Sequence, residues 1–507
     1  MRWNLPVPAV GSAVLLTMLS AVVPAAVPAL QTDQAISDKV EDELRYDLAV
    51  NPDRIDVTTL DGVVTLDGRV TNLLAKRRAE HIAETVKGVR AVVNRVEVRF
   101  SAGLSDSELK DDVRAALSGD PATEDYDVRV DVRDGVVLLR GTVDSWQQQE
   151  LAERVVAAVR GVTEVRNLVA VDSGRDRTDQ EIEEEVVAAL QSSVLIDDGL
   201  IDVEVDDRKV MLSGSVGSAA ERRLTRVASW VIGVEEVDAS ELEVEPWARD
   251  EAMRKSKYVP KSEEEIREAV RDALAVDPRV SFFEITPDVV GSLVTLRGTV
   301  DNLKAKRAAA QDARNTVGVS AVTNRLKVRT ADGREDLDIA ADVRDSLARD
   351  SLVERHEIFV NVSDGTAYLS GAVDTALERA QADDAAARVR GVVSVDNNLT
   401  VSDDDIWSYA PYVDTLYPYS HTWYDFEPRY SRTSDAAIES EIKSEMWWSP
   451  FVDADQVEVT VEQGVVTLSG EVDSWNERSA AEENAYEGGA TRVVNNVTVA
   501  GEADSIF

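Results

Sequence analysis

The sequence predicts an α+β fold made of six tandem small units. Each unit has the order helix, strand, strand, helix, strand, with two helices on one face of a three-stranded mixed sheet. Two observations predict this. The phrase "DGVVTLDGRVTN" at residues 61–72 returns as "DGVVLLRGTVDS" at 134, "DGTAYLSGAVDT" at 364 and "QGVVTLSGEVDS" at 463, with looser copies at 207 and 291. Apolar residues at helical spacing precede the copies.

Three positions recur in fixed relation within these units. The first glycines are spaced by 73, 73, 84, 73 and 99 residues: Gly68, Gly141, Gly214, Gly298, Gly371 and Gly470. A second glycine follows 20 residues later, or 19 in the third unit: Gly88, Gly161, Gly233, Gly318 and Gly391, with Gly488 and Gly489 both candidates in the sixth. An asparagine follows the first glycine by 26 residues: Asn94, Asn167, Asn324, Asn397 and Asn496. Self-similarity of this kind indicates repeated structural units.

The opening helix is predicted from residues such as Ile36, Val40 and Leu44, which would share one helical face. Its start has capping-box spacing in three units, at Ser105 with Glu108, Thr178 with Glu181 and Ser262 with Glu265.

Two strands joined by a tight hairpin come next. Asp61-Gly62 suits a two-residue turn, because both central residues of such a turn need positive φ angles. Alternation in the second strand places Val64, Leu66 and Val70 on one side. Gly68 falls in the same register, and a glycine inside a strand indicates close backbone approach. We expect the second helix, lying across the sheet, to be what approaches it.

The second helix begins four residues after the first glycine, at a residue that favours the N-cap position: Asn72, Ser145, Ser218, Asn302, Thr375 or Ser474. The second glycine is predicted to end this helix as a left-handed C-cap. A third strand, such as Val92 to Phe100, then returns parallel to the second through a right-handed crossover. The recurrent asparagines are expected to satisfy backbone groups and not to bind ligands.

A second level of order links the two halves of the chain. Ile36, Val40, Leu44, Gly68 and Asn94 recur 230 residues later as Ile266, Val270, Leu274, Gly298 and Asn324. A block of three units has therefore been duplicated. The sixth glycine is displaced by 26 residues, which the stretch from Trp407 to Arg432 accounts for.

This pattern resembles the BON domain, the bacterial osmotic-stress and nodulation module of periplasmic and outer-membrane proteins. The resemblance covers about nine-tenths of the predicted mature chain. It implies a non-catalytic protein that attaches to phospholipid surfaces and supports envelope integrity under osmotic stress. Two features depart from the family pattern: the third unit has Arg208 in place of the turn glycine and lacks the asparagine, and six units exceed the pair typical of osmotically inducible periplasmic members.

The predicted boundaries follow from the repeat. Residues 1–29 form a signal peptide, 246–261 a linker and 403–432 an aromatic-rich insertion. The six BON-like units cover 33–100, 104–172, 177–245, 262–330, 335–402 and 433–500, and the third of these is divergent.

The N-terminus indicates export. Arg2 is followed by an apolar run from Ala9 to Val23 and then by Val27-Pro28-Ala29, the order of a secretory signal peptide. An uncleaved membrane anchor is the alternative, but the run is short for a bilayer span. The predicted location is the periplasm or the exterior.

Composition excludes several classes of function. A net charge of -41, from 96 acidic and 55 basic residues, would repel nucleic acid and disfavour broad docking on anionic lipid. The absence of cysteine excludes disulfides, Cys-based zinc sites and a lipid-modified N-terminal cysteine.

The three histidines, His81, His356 and His421, share no metal-ligand spacing, and His81 is expected to be a surface residue. No catalytic site, cofactor or metal is predicted. The acidic groups at Asp403–Asp405 and around Asp197, Asp198 and Asp202 are interpreted as solvated surface in preference to calcium sites.

Two segments are candidates for binding. The basic run Lys76-Arg77-Arg78, echoed by Lys304, Lys306 and Arg307, could meet phosphate headgroups or could be a solvated helix face.

The insertion at 407–430 is rich in aromatic residues that suit a lipid interface, a glycan or a protein partner: Trp407, Tyr409, Tyr412, Tyr417, Tyr419, Trp423, Tyr424, Phe426 and Tyr430. The alternative is an interdomain clamp. Trp447 and Trp448 could extend either surface. Envelope phospholipid or envelope proteins are the expected partners, and the oligomeric state is not predicted.

Overall fold

The computed structural model describes residues 31–46, 55–100, 104–174, 177–249, 257, 261–329, 334–353, 357–401, 434–449, 451–490 and 492–500. The predicted signal peptide, the aromatic-rich insertion and the greater part of the predicted linker lie outside these residues, as do His356 and His421.

Six copies of the order αββαβ follow one another along the described chain. The helices are α1 Asp33–Tyr46, α2 Leu73–Glu84, α3 Asp106–Gly119, α4 Trp146–Ala157, α5 Asp179–Ser192, α6 Ala219–Ala228, α7 Glu263–Val276, α8 Leu303–Arg314, α9 Asp336–Arg349, α10 Ala376–Ala387, α11 Asp435–Trp448 and α12 Trp475–Glu487. The strands are β1 Ile55–Leu60, β2 Val63–Val70, β3 Ala91–Asn94, β4 Glu97–Val98, β5 Asp127–Arg133, β6 Val136–Val143, β7 Glu164–Val171, β8 Ile201–Asp206, β9 Lys209–Val216, β10 Glu236–Val244, β11 Ile285–Val290, β12 Leu293–Val300, β13 Ala321–Asn324, β14 Lys327–Val328, β15 Phe359–Ser363, β16 Thr366–Val373, β17 Ser394–Val401, β18 Val457–Glu462, β19 Val465–Val472 and β20 Arg492–Val499.

Each unit has one sheet whose middle strand is the second strand of the hairpin. In unit two, β6 pairs antiparallel with β5 and parallel with β7, and the other units repeat this order. In units one and four the third strand is split into two short pieces, β3 with β4 and β13 with β14. The predicted fold class is confirmed.

The core of each unit lies between the sheet and its two helices. In unit one, Val40 and Leu44 of the first helix, Val64 and Leu66 of the middle strand and Ala79 of the second helix belong to one buried cluster. The alternation predicted for β2 is confirmed, since Val64, Leu66 and Val70 are buried while Asp67 and Arg69 are exposed. Burial of these side chains is the main source of stability in so small a unit.

The predicted helix starts are confirmed. The capping boxes of Ser105 with Glu108, Thr178 with Glu181 and Ser262 with Glu265 have both hydrogen bonds in place. All six predicted N-caps of the second helices accept a hydrogen bond from a backbone amide three residues on: Asn72, Ser145, Ser218, Asn302, Thr375 and Ser474.

The hairpin turns show a contact that the sequence pattern did not suggest. Asp61 and Gly62 have φ angles of 52° and 74°, as the predicted turn requires. Their amides donate to the two carboxylate oxygens of Asp33, at the start of α1, at 2.9 Å each. Aspartates at the same place in α3, α5, α9 and α11 repeat this contact. It ties the opening helix to the hairpin.

The divergent third unit forms the same hairpin without its glycine. Arg208 adopts a φ of 62°, in the left-handed region that glycine normally occupies. The amide of Arg208 donates to Asp179 at 2.9 Å, so the carboxylate of α5 supports the strained position. The third strand, β10, carries a register shift between Asp238 and Glu241 where the other units carry their asparagine.

The second helix was expected to lie against the first glycines, and this expectation was wrong. A methyl group built on Gly141 would overlap the carbonyl oxygen of Asp127, which belongs to the neighbouring strand β5 and not to helix α4. The equivalent carbonyls approach Gly214, Gly298, Gly371 and Gly470. Gly68 has the same backbone conformation, with a φ of 150°. The glycine is therefore required because the hairpin closes tightly at this point and because φ is positive.

The second glycines also need a correction. Helix α2 ends at Glu84, and Gly88 lies four residues later in the turn that follows, with a φ of 92°. Only unit six places the glycine directly after the helix cap. There Gly489, with a φ of 97°, donates to the Tyr486 carbonyl, and Ala490 donates to the Ala485 carbonyl. These two bonds form a Schellman motif, which identifies Gly489 and not Gly488 as the sixth second glycine.

The recurrent asparagine satisfies backbone groups, as predicted, and in doing so joins the third strand to the second helix. Asn94 donates to the carbonyl oxygen of Lys76 in α2 at 2.8 Å and accepts from the amide of Val96 at 3.1 Å. Asn167, Asn324 and Asn397 make the same two bonds. In unit six Asn495 makes them, so the prediction of Asn496 was wrong by one residue.

Each unit of the first three-unit block contacts at least one unit of the second block. Val159 of unit two forms an antiparallel bridge with Asp350 of unit five, and Ser193 of unit three forms one with Thr316 of unit four. Unit one meets unit six where Lys39 binds Glu445. These contacts join unit one to six, two to five and three to four, and Ala220 of unit three also packs in the core of unit six.

Candidate functional site

Trp447 and Trp448 are the predicted aromatic binding residues that fall within the described chain. Trp407, Tyr409, Tyr412, Tyr417, Tyr419, Trp423, Tyr424 and Phe426 lie outside it, so their role stays a prediction. The two tryptophans end helix α11, with ring centroids 4.9 Å apart in an edge-to-face arrangement.

The tryptophan pair lies at the contact between unit one and unit six. Trp448 packs against the buried core of unit one. Trp447 is 41% exposed, and the Lys87 ammonium of unit one lies 3.9 Å from the centre of its ring. A cation over an aromatic face is attracted by the ring's electron density. The result is an exposed aromatic and cationic surface patch, which we call the Trp447–Lys87 patch.

A buried group of charged side chains also joins unit one to unit six. The Lys39 ammonium lies 2.7 Å from a carboxylate oxygen of Glu43 in its own helix and 2.7 Å from one of Glu445 in α11. Burial opposes the charge of Lys39, but the two carboxylates raise its pKa above the ordinary value. Burial and the carboxylate of Glu43 raise the pKa of Glu445 to about 7. We call Lys39, Glu43 and Glu445 the Lys39 triad.

The triad predicts that the contact between units one and six weakens as pH rises. Glu445 holds its proton in the folded state up to a pH of about 7, whereas an unfolded glutamate loses it near its ordinary pKa of 4.5. Stability from this group is therefore complete below the unfolded pKa and is lost as pH rises through the folded pKa. We expect a loss on the order of 1 kcal/mol between pH 5 and 8. Urea unfolding across this range, with hydrogen exchange on α1 and α11, measures it.

Glu445→Gln is the matched variant, because it keeps the shape of the side chain and removes its titration. Its stability should change less with pH than that of the wild type. If the two proteins show the same pH dependence, Glu445 does not control the contact.

The predicted basic run does not present a uniform solvated face. Arg77 of α2 forms an ion pair with Glu153 of unit two, and Arg78 is buried at 5% exposure. In the echoing run, Lys304 lies 2.5 Å from Asp384 of unit five, and Arg307 pairs with Asp383. Lys76 is half-buried. Arg77 thus lies in a contact between units, and Arg78 is buried, so neither side chain is free on the surface to meet a headgroup.

His81 is not the surface residue that was expected. Its Nδ1 atom is buried and has no hydrogen-bond partner among the described residues. Burial, with the positive charges of Arg223, Arg77, Arg154 and Arg78, lowers its pKa well below the ordinary value. These arginines come from three units, so His81 lies where units one, two and three meet.

A second junction of charged groups joins units two, four and five. Arg388, the residue that caps the C-terminal end of α10, donates to Asp384 at 2.9 Å, and Asp120 of unit two and Asp350 of unit five act on its charge. Burial opposes the charge of Asp384, but Lys304 and Arg388 lower its pKa. Burial raises the pKa of both Asp120 and Asp350. One guanidinium thus lies among three carboxyl groups.

The interpretation of the acidic group near residue 197 as solvated surface was wrong for Asp197 and Asp198, whereas Asp202 is exposed. Asp197 is buried and accepts a hydrogen bond from the Gly199 amide at 3.2 Å, and Asp198 lies 3.0 Å from the Lys257 ammonium. Asp403, Asp404 and Asp405 lie outside the described residues. Over the part of the chain that the structure describes, no three His, Asp or Glu side chains are grouped so that they could hold a metal ion. No described helix has the length and apolar character needed to cross a membrane.

Comparison with known protein families shows that all six units match the same family. The BON domain model matches six stretches, at residues 32–99, 105–173, 178–246, 262–330, 335–403 and 434–501. These stretches contain the six αββαβ units.

Three relatives are similar over about two units. Osmotically-inducible protein Y of Escherichia coli (strain K12) is 35% identical over 141 residues, 27% of this chain and 70% of that protein. Outer membrane lipoprotein DolP of Haemophilus influenzae is 28% identical over 138 residues, 26% of this chain and 71% of that protein. The 21 kDa hemolysin of Actinobacillus pleuropneumoniae is 25% identical over 142 residues, 27% of this chain and 73% of that protein.

Proposed function

The chain belongs to the BON domain family, and from that premise we propose that it is a non-catalytic, exported envelope protein that binds phospholipid surfaces and supports osmotic tolerance. The observation that carries the proposal is the match of six stretches to one family whose relatives include an osmotically-inducible protein and an outer membrane lipoprotein. The signal peptide predicted at residues 1–29 supports export to the periplasm or beyond.

Electrostatics limits how such a chain can meet a membrane. A net charge of -41 repels an anionic lipid surface as a whole. Binding must therefore use a local surface with apolar and cationic character. The Trp447–Lys87 patch has this character, and tryptophan favours the boundary between headgroups and acyl chains. The aromatic insertion predicted at 407–430 is a second candidate for the lipid contact, because its tryptophan and tyrosine residues suit the same boundary.

Vesicle co-sedimentation of the mature protein tests the proposal. We expect binding to phosphatidylcholine vesicles, and weaker binding at low salt when phosphatidylglycerol is added, because the net charges then repel. Trp447→Ala should reduce binding, and deletion of residues 407–430 should reduce it further. Trp247→Ala is the matched control, since Trp247 directly follows unit three and is 51% exposed. The absence of binding to every vesicle at every salt concentration would contradict the proposal.

A scaffold that binds envelope proteins or glycans is the second candidate. The acidic net charge favours it, because such a surface avoids anionic lipid while leaving many exposed unit faces for partners. Chemical cross-linking in intact cells separates the two. A protein partner that stays bound in detergent, together with no affinity for vesicles, would support the scaffold, whereas vesicle binding without such a partner supports the lipid proposal.

A further inference from the structure

The sheet of unit five has an outer face, turned away from its two helices, that is almost free of charge. Side chains alternate along β15, β16 and β17, and Val362, Ala367 and Leu369 are buried in the core of the unit. The side chains on the opposite face are Phe359, Asn361, Ser363, Thr366, Tyr368, Ser370, Ala372, Ser394, Asp396, Asn398 and Thr400. Asp396 is the one charged group among them. We call these residues the unit-five outer face.

The corresponding faces of neighbouring units are highly charged. In unit two the charged side chains are Asp127, Arg129, Asp131, Arg133, Arg140, Glu164 and Arg166. In unit three the acidic side chains are Asp202, Glu204, Asp206, Glu236, Asp238, Glu241 and Glu243. Charged residues make up 30% of the whole chain. The unit-five outer face therefore differs from equivalent surfaces of the same fold, and its lack of charge complements an uncharged partner.

Two exposed aromatic side chains are neighbours on this face. Tyr368 is 40% exposed and Phe359 is 61% exposed. Phe359 pairs with Ser370, which is two residues from Tyr368 along β16, so the two aromatic residues are diagonal neighbours across the strands. The Cα atoms of such neighbours are about 7 Å apart. Two rings this close can pack against successive rings of one saccharide chain.

Hydrogen-bonding groups stand on both sides of Tyr368. Asn361 is its partner on β15, and Asp396 is its partner on β17. Asp396 accepts a hydrogen bond from the side-chain amide of Asn398 at 2.8 Å, which orients both groups. The side chain of Asn361 is exposed and makes no hydrogen bond within the described part of the chain. Amides and a carboxylate together offer donors and acceptors to the hydroxyl groups of a ligand.

We infer that the unit-five outer face binds an uncharged glycan. One side of a sugar ring presents C–H groups that pack on an aromatic ring, and the hydroxyl groups at its edge form hydrogen bonds. Tyr368 and Phe359 supply the aromatic surface, and Asn361 and Asp396 supply the polar partners. The inference rests on the second candidate function above, to which it gives a ligand class and a site. It is independent of the lipid contact.

Other partners fit this face less well. The carboxylate of Asp396 repels the phosphate of a lipid headgroup, and the polar side chains around the rings would lose water without gaining hydrogen bonds among acyl chains. Strands of five to eight residues, about 4.8 Å apart, give the face an area on the order of 300 Å². A stable protein interface needs about 800 Å² on each partner, whereas a short oligosaccharide needs much less.

Calorimetric titration of the mature chain with tetrasaccharides tests the inference. The uncharged probes are cellotetraose and N-acetylchitotetraose, and tetragalacturonic acid is the charged comparison. We expect saturable binding of at least one uncharged probe, with one site per chain. The acidic probe should bind more weakly, because Asp396 and the net charge of -41 repel it.

Tyr368→Ala should weaken the affinity for the uncharged probe about tenfold, the scale of one lost aromatic contact. Trp247→Ala is the matched control, since it removes an exposed aromatic side chain outside this face and should leave the affinity unchanged. Asn361→Asp is a second variant that keeps both rings and replaces the amide with a carboxylate. It should also weaken binding, and it keeps the inference testable if Tyr368→Ala does not fold.

Saturation-transfer nuclear magnetic resonance identifies the contact directly. Irradiation of the protein's aromatic protons should transfer saturation to the C–H protons of the bound sugar, and Tyr368→Ala should reduce this transfer. Equal affinity in the wild type, Tyr368→Ala and Asn361→Asp would place the sugar elsewhere and overturn the inference. The absence of binding to both uncharged probes, or equally strong binding of the acidic one, would also overturn it.

A photoreactive group at position 368 separates this inference from the scaffold function on which it rests. Capture of a protein in intact cells, with no affinity for either uncharged tetrasaccharide, would support a scaffold for proteins and overturn the glycan site. Capture of a glycan would support both. Vesicle co-sedimentation contains no sugar and the titration contains no lipid, so the lipid contact stands or fails separately.

Discussion

Replacing Gly141 with valine is expected to destabilise the protein by about 3 kcal/mol, through overpacking and backbone strain together. The φ of Gly141 is 147°, a conformation that residues with a side chain rarely adopt. The first carbon of the new side chain would also overlap the Asp127 carbonyl oxygen. Relief of that overlap requires strands β5 and β6 to separate, which breaks the hairpin of unit two.

Urea unfolding of the full chain measures the change, and hydrogen exchange on β5 and β6 localises it. Thr142→Val is the matched control, because it places the same valine side chain at the adjacent, exposed position, where its shape is close to that of the threonine it replaces. The control should change stability by about 0.5 kcal/mol or less. An unchanged midpoint in Gly141→Val would show that the tight hairpin closure is not needed.

Arg388→Met is expected to destabilise the junction of units two, four and five by about 3 to 5 kcal/mol, the usual effect of removing one partner from a buried ionic group. The substitution keeps much of the side-chain volume and removes the charge that lies near Asp384, Asp350 and Asp120. Asp384 retains Lys304. Asp350 and Asp120 lose the nearby positive charge of Arg388, so their pKa values should rise further.

Hydrogen exchange on α3 and α9, which pack together across the contact of units two and five, reports on this junction directly. Arg344→Met removes an exposed arginine of the same unit and serves as the control. The loss in Arg388→Met should be smaller at pH 4 than at pH 7, because protonation neutralises the uncompensated carboxyl groups. A loss of the same size at both pH values would contradict this electrostatic explanation.

The local structure of each unit could be predicted because its signals lie within a few residues. Asn72 caps a helix that begins beside it, and Asp61-Gly62 forms the turn that it occupies. The group that lies against Gly141 was harder to predict. A glycine within a strand indicates that another part of the chain comes close, but it does not identify that part. The carbonyl of Asp127 and a helix backbone would both exclude a side chain.

The contacts between units could not be predicted from the repeat. Lys39 follows an ordinary pattern of charged residues on an amphipathic helix, and its burial depends on Glu445 in another unit. The same holds for His81, whose Nδ1 atom is buried and whose pKa is lowered by the charges of arginines in units two and three. A pattern with helical periodicity distinguishes the side of a helix that faces its own sheet. It carries no information on a second face that becomes covered when units pack together.

The contacts of unit one with six, two with five and three with four are nested along the sequence, so that each pair of units encloses the next pair. The innermost contact, between Ser193 and Thr316, closes a much shorter loop than the outermost, between Lys39 and Glu445, which are 406 residues apart. Because the entropy of loop closure rises with separation, assembly should proceed outward from the centre. Unit one, although made first, then acquires its last partner only after unit six has emerged. A chain truncated before unit six would lack Glu445, which pairs with Lys39, and Trp448, which covers part of the core of unit one. The apolar surface under Trp448 would then be exposed and prone to aggregation.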